Sequence, residues 1–263
     1  MASLDPFLER RLSRGHVWFT RENALRALSA SDSTLTTSLS KLARNHRIAN
    51  PRPGFYLILR PEDHDSGAPD PAQWIHALML HQQCDYRISL LSAAHIHGAT
   101  VEAPAFQLVV PRELRDFGIG RHRLEFTAQA ENSFSRTNRL DRLKEWKTGS
   151  AVAKAAGIEL TLLDCARWFH KAGGISRVAQ IARELGTKAG ARKLATLAQA
   201  YESVAVRRLG YLLELAGHER QASALDPFAS RVGLRPTVLL DPTSKIEVGE
   251  MSGRWKIAVN TKP

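Results

Sequence analysis

Cysteine is nearly absent. The 263 residues hold two, Cys84 and Cys165, far apart in sequence and in no Cys-x-x-Cys or Cys/His cluster. Neither a disulfide framework nor a thiolate metal site is therefore expected, and a reducing compartment fits. No apolar run approaches the roughly 18 residues that a transmembrane helix needs. Asp5, Glu9, Arg10 and Arg11 interrupt any apolar opening segment, so no secretory leader is expected and the protein reads as cytoplasmic. The phosphate-binding loop Gly-x-x-x-x-Gly-Lys-Ser/Thr, the His-Glu-x-x-His helix and the nucleophile elbow are all missing. Acidic side chains are in deficit, 26 against 37 Lys and Arg, which leaves a formal charge of +11. That balance favours polyanions or acidic surfaces as partners and does not identify a fold.

The histidines and carboxylates do not repair these absences. His95 and His97 diverge by about 200° on a helix, and His76 and His81 diverge too, so neither pair chelates. His97, beside Gly98, reads as a hydrogen-bonded structural residue. A metal-dependent nuclease needs clustered carboxylates and commonly a lysine. Asp226, Asp241, Glu247 and Glu250, with Lys256 downstream, are the nearest candidates, but the first two stand in Asp-Pro pairs that read as turns. No metal, no cofactor and no enzymatic activity are expected.

Residues 20–60 carry the positive information. A helix start at Thr20 leads into Ala24, Leu25 and Leu28, and a polar break follows at Ser29, Ser31 and Asp32. Then come Leu35, Leu39 and Leu42, spaced i, i+4, i+7 on one buried stripe. Ser33, Thr37, Ser40 and Arg44 point the other way, with Thr36 and Lys41 on the flanks. Ser31 or Asp32 can cap the first free backbone N–H groups. Short hydroxyl side chains fit against base edges, while Lys and Arg reach phosphates or guanine. The segment Pro51-Arg52-Pro53-Gly54 then tips a hairpin whose return strand is Phe55–Leu59. Helix, turn, helix and hairpin is the order of a winged helix-turn-helix, with Arg52 placed like a wing arginine near a phosphate or a minor groove. A solvated Ser/Thr face and an exposed turn arginine are the plain alternatives.

Residues 61–71, polar and rich in Pro and Gly, make the best domain boundary, giving a DNA-binding domain over 1–66 and a second domain over 67–263. Residues 3–13 and 72–83 read as helices, 89–97 as a short helix stopped by Gly98, and Phe106–Val110 and Arg123–Thr127 as strands. Further helices are expected over 161–171, 175–185, 189–201 and 203–216, with late strands at Thr237–Leu240 and Trp255–Val259. The class is α+β, a winged helix-turn-helix followed by a mixed, largely helical domain, without βαβ alternation. Residues 1–60 hold ten Lys and Arg against four acids, and residues 167–208 hold nine against two. Arg167, Lys171, Arg177, Arg183, Lys188, Arg192, Lys193, Arg207 and Arg208 could thus line a second basic face, for DNA backbone or an acidic partner. Several separately solvated surfaces are the alternative.

Several stretches together resemble the AbiEi family, antitoxins of AbiE-type toxin–antitoxin and phage abortive-infection systems. Pro51-Arg52-Pro53-Gly54-Phe55-Tyr56-Leu57-Ile58 is similar to the family's wing. Tyr86-Arg87-Ile88-Ser89-Leu90-Leu91-Ser92-Ala93-Ala94-His95-Ile96-His97-Gly98 resembles a second family segment. Thr161-Leu162-Leu163-Asp164 with Gly173-Gly174, and Arg207-Arg208-Leu209-Gly210-Tyr211-Leu212-Leu213-Glu214, resemble two more. Leu225-Asp226-Pro227 and Arg254–Asn260 resemble its ending. One departure is Leu160, which stands where relatives carry an arginine. The resemblance implies a winged-helix domain joined to a C-terminal antitoxin domain, and no enzyme. It also implies repression of the protein's own promoter through inverted repeats. The implied functional partner is a co-encoded nucleotidyltransferase-like toxin of AbiEii type, opposed in the manner called type IV. A stand-alone winged-helix regulator with a ligand-sensing or dimerising C-terminal domain is the alternative. No coiled-coil pattern is present, so a monomer that binds repeats side by side is expected.

If Thr37 reads a base, Thr37→Ala relaxes sequence preference by about 1–3 kcal/mol. Unchanged preference across a panel of operator variants removes Thr37 from the reading face.

Overall fold

The apolar spacing of the first sixty residues closes a small core in the computed structural model, which describes residues 4–28, 31–230 and 237–263. The order is α1 (Asp5–Ser13), β1 (Trp18–Thr20), α2 (Arg21–Leu28), α3 (Asp32–Arg44), β2 (Ile48–Arg52) and β3 (Phe55–Ile58). Ser29 of the expected polar break lies outside the described residues. Thr20 and Asn23 cap the start of α2 reciprocally, each side chain accepting from the other's backbone N–H at 3.1–3.2 Å. Ser31 caps α3 by accepting from the Thr34 N–H at 3.2 Å. Leu35, Leu39 and Leu42 bury the inner stripe of α3 against Phe7, Leu8, Phe19, Ile48 and Ile58. The three strands pair antiparallel in the order β1-β3-β2. Asn50 holds the hairpin by donating to the Arg52 and Phe55 carbonyls at 2.8 and 2.7 Å.

Contacts divide the chain into two units. The first comprises residues 1–86, 104–128 and 145–154, the second residues 87–103, 129–144 and 155–263. The expected break between residues 66 and 67 falls inside the first unit. Residues 61–71 begin there as a 3-10 turn, Pro61–Asp63, across which Arg60 and Asp63 pair at 2.8 Å. Further along, a Cβ on Gly120 would meet the Ser66 carbonyl at 2.0 Å, so the backbones approach as only glycine permits. The Pro/Gly composition thus serves close packing here. Strands Phe106–Val110 and His122–Ala128 of this unit pair parallel, and Phe117–Ile119 joins the latter antiparallel. Such parallel pairing departs from the segregated strands expected from the sequence, and the run Gln107–Val110 is buried accordingly.

In the second unit the expected helices appear as Ile158–Arg167, Ile175–Leu185, Ala191–Ala198 and Ser203–Leu215, with Leu90–Ile96 before them. The first starts three residues earlier than its spacing suggests, after Gly157 as N-cap. Leu160, at the arginine position of relatives, is wholly buried and makes packing contacts instead of a charged one. Ile257–Val259 lies between Val238–Leu239, which it pairs with in parallel, and Glu250–Ser252. A Cβ on Gly210 would sit 2.2 Å from the Trp255 ring, which explains the glycine inside the helix Ser203–Leu215.

The second unit closes on a fully buried ion pair. Arg87 Nε and NH2 donate to both carboxylate oxygens of Asp164 at 2.9 and 3.0 Å, and neither side chain is exposed at all. Ser89 Oγ and Tyr201 OH donate to the same carboxylate at 2.6 and 2.5 Å. Gln129 Oε1 accepts from Arg87 at 2.8 Å. Burial, the largest single influence, lowers the guanidinium pKa, but the charges and hydrogen bonds of Asp164 and Tyr201 together raise it. Burial, then the Asp164 charge, pushes the Tyr201 hydroxyl well above its ordinary value, so it stays a donor. Removing one partner of such a pair leaves an uncompensated interior charge. Asp164→Ala is expected to cost about 3–5 kcal/mol by denaturant unfolding, and a loss below about 1 kcal/mol would deny the pair its structural role.

Candidate nucleic-acid interface and a basic cavity

Residues Ser33, Thr36, Thr37, Ser40, Lys41 and Arg44 all lie exposed on α3. The buried leucine stripe dictates this, because the helix has one apolar face and this is the other. Thr37 Oγ1 donates back to the Ser33 carbonyl at 3.2 Å, which leaves its lone pairs outward. Thr36 Oγ1 donates to the Asp32 carbonyl at 2.8 Å and accepts from Arg21 at 2.6 Å. Arg21 also pairs with the Asp32 carboxylate at 2.8 Å, and that hydrogen-bonded pairing raises its pKa. Arg21, the first residue of α2, therefore lies on the face of α3. Sequence reasoning missed it because the residue belongs to the neighbouring helix.

Arg52 is not free at the hairpin tip. Its guanidinium lies 4.0 Å from the centre of the Phe117 ring and donates to the Arg115 carbonyl. Burial, then the Arg115 charge, lowers its pKa. The wing-arginine expectation is corrected on this point, since the side chain is spent on a strand of its own unit. Arg115 itself is exposed beside it.

The second basic stretch does not form one face. Arg207 donates to the Trp255 and Lys256 carbonyls from a buried position. Arg208, also buried, donates to the Leu240 and Ala166 carbonyls at 2.9 Å and stacks over Phe169. Burial lowers its pKa to about 10. Both are corrected from surface to interior, because the carbonyls at the ends of neighbouring elements need donors. Arg167 lies over Trp168 and pairs with Glu202 at 2.5 Å. Lys171, Arg177 and Arg183 lie elsewhere, on the loop after Ile158–Arg167 and along Ile175–Leu185.

Lys188, Arg192 and Lys193 do converge. With Arg142 and Lys144, which sequence reasoning did not mark, they line a cavity of about 600 Å³ in the second unit. Leu143, Ile158 and Leu197 supply apolar wall, and His97, Asp141 and Glu159 polar wall. Glu159 Oε1 accepts from the Gly190 N–H at 2.7 Å. His97 Nε2 bonds the Ala156 carbonyl at 2.7 Å, as expected of a structural histidine, and burial lowers its pKa. No local pattern announces this cavity, because its cations come from segments some 45 residues apart.

Two of the four candidate nuclease carboxylates are engaged separately. Asp226 pairs with Arg254 at 2.8 Å, and Asp241 accepts from the Thr243 N–H in a turn. Among the described residues no group of three or more His, Cys, Asp or Glu could hold a metal ion. Among them also, no helix is long and apolar enough to cross a membrane.

The contrast between Arg52 and Arg115 is measurable. Arg52→Ala is expected to lower stability by about 0.5–1 kcal/mol through lost cation–π packing, while Arg115→Ala leaves the denaturation midpoint unchanged. Equal midpoints for both would show the Arg52 contact to be idle.

The crystal structure of the RV2827C protein from Mycobacterium tuberculosis is similar in fold, with a TM-score of 0.70. The likeness spans 97% of this chain and 90% of that one at 14% identity. No curated protein matches. Residues 87–215 match the AbiEi antitoxin C-terminal domain, and the match starts where the second unit starts, at Arg87. Over the segment built on the Arg87–Asp164 pair, the chain therefore belongs to the AbiEi antitoxin C-terminal domain family.

Proposed function

We propose that this protein is an antitoxin and transcriptional autorepressor, in which a winged helix-turn-helix over 1–66 reads inverted repeats in its own promoter. The remainder, 67–263, counteracts a co-encoded nucleotidyltransferase-like toxin in a cytoplasmic phage-defence system. The observation that carries the DNA reading is the outward face of α3, where Ser33, Thr36, Thr37, Ser40, Lys41 and Arg44 are exposed together opposite a closed leucine stripe. A helix so faced enters a major groove with short hydroxyls toward base edges and cations toward phosphates. Arg115 takes the phosphate role beside the hairpin that the sequence gives to Arg52. The antitoxin reading rests on the family match over residues 87–215.

Footprinting of the full chain on DNA upstream of its own gene, across a salt series, tests the repressor. A discrete repeat protected against competitor DNA is expected, with Arg115→Ala flattening the salt slope by about one unit. Diffuse coating without a footprint would sink the reading. Failure of the full chain to relieve growth arrest by the neighbouring toxin would sink the antitoxin half alone.

A further inference from the structure

We propose that the basic cavity of the second unit binds a nucleotide carrying two or more phosphates. Its volume of about 600 Å³ lies within the roughly 300–1,000 Å³ of small-molecule sites. Five cations line it, Arg142, Lys144, Lys188, Arg192 and Lys193, against two carboxylates, Asp141 and Glu159. Asp141 is held at 3.2 Å from Arg139 and 4.0 Å from Arg142, which also donates to the Arg136 carbonyl, so four of the five cations stay without a carboxylate partner among the described residues. The remaining imbalance is positive, and no ion pair joins Lys144, Lys188, Arg192 or Lys193 to a carboxylate among the described residues.

Placement adds to charge. Arg192 and Lys193 stand in the first turn of the helix Ala191–Ala198, which also lends Thr196 and Leu197 to the lining. Its unbonded N–H groups and dipole favour an anion there. The Glu159 carboxylate, on the Gly190 N–H, already occupies the edge of that position. Lys188 is steered inward by donating to the His97 carbonyl at 3.3 Å. Phosphate alone would leave most of the space and the wall of Leu143, Ile158 and Leu197 wet. A base against that wall, with its phosphates at the helix mouth, uses both halves of the lining. The site does not depend on the repressor reading, since every lining residue lies outside the α3 face.

Calorimetric titration of the full chain with ATP, CTP, GTP and UTP in turn, near 0.15 M salt, tests the site, with inorganic triphosphate as control. At least one nucleotide is expected to bind in the micromolar range. The double variant Arg192→Glu/Lys193→Glu, at two exposed positions, weakens it about tenfold or more. Glu159→Gln, which removes the resident negative charge, tightens it about two- to fivefold. Thermal melts of each variant check that the fold is intact. The proposal falls if no nucleotide binds, or if charge reversal leaves binding unchanged. Inorganic triphosphate binding as tightly as the nucleotides would reduce the site to a phosphate site and overturn the nucleotide. Charge reversal that only flattens the salt dependence of random duplex DNA would assign these cations to a nucleic-acid backbone instead.

Discussion

The second unit depends on one carboxylate. Asp164 accepts from Arg87, Ser89 and Tyr201 in a place that water does not reach. An interior charge is tolerable only when paired and saturated with hydrogen bonds, so the chain must deliver those donors from residues far apart in sequence. Arg87 extends the demand to Gln129 and Thr137. Four segments are thereby fixed at one point, and the hydrophobic packing of the surrounding helices follows from their meeting there. Two of the stretches that resemble the AbiEi family, Tyr86–Gly98 and Thr161–Asp164, supply Arg87, Ser89 and Asp164 of this network.

What the sequence made legible was local and periodic. Leu35, Leu39 and Leu42 announce the buried side of α3, and their spacing alone places Ser33, Thr37 and Ser40 opposite. The helix Ile175–Leu185 appears at its expected bounds for the same reason. What stayed hidden involved partners distant along the chain. A guanidinium that donates to a carbonyl and one that faces water have the same letter, so Arg207 and Arg208 read as surface charge. Gly67 in a Pro/Gly-rich stretch reads as linker, although it meets Gly120. The cavity cations Arg142 and Lys144 stand at the end of a 3-10 turn and in a strand, where no helical face draws attention to them.

The formal charge also overstates the positive surface. Arg11, Arg52, Arg87, Arg167, Arg208 and Arg254 each lie over an aromatic ring. Arg254 is in addition held by Asp226 and Glu219. These side chains act as flat packing elements whose charge is matched nearby or turned to carbonyls. The exposed positive charge comes from fewer residues than the formal count suggests, among them Lys41 and Arg44 on α3, Arg115, and Arg192 and Lys193 at the cavity.

The first unit is threaded in three passes, and this has a consequence for how the protein is made. Arg52 rests on Phe117, Gly67 meets Gly120, and Gly15 accepts from Ser150. At ribosomal speeds of about 5–20 residues per second, the hairpin waits several seconds for Phe117, and Gly15 longer still for Ser150. During translation the N-terminal helices therefore stand without their later supports while the next unit is already emerging. A nascent chain offers proteases an unfinished surface for that interval, so supply of the mature protein is sensitive to the pace of its own synthesis.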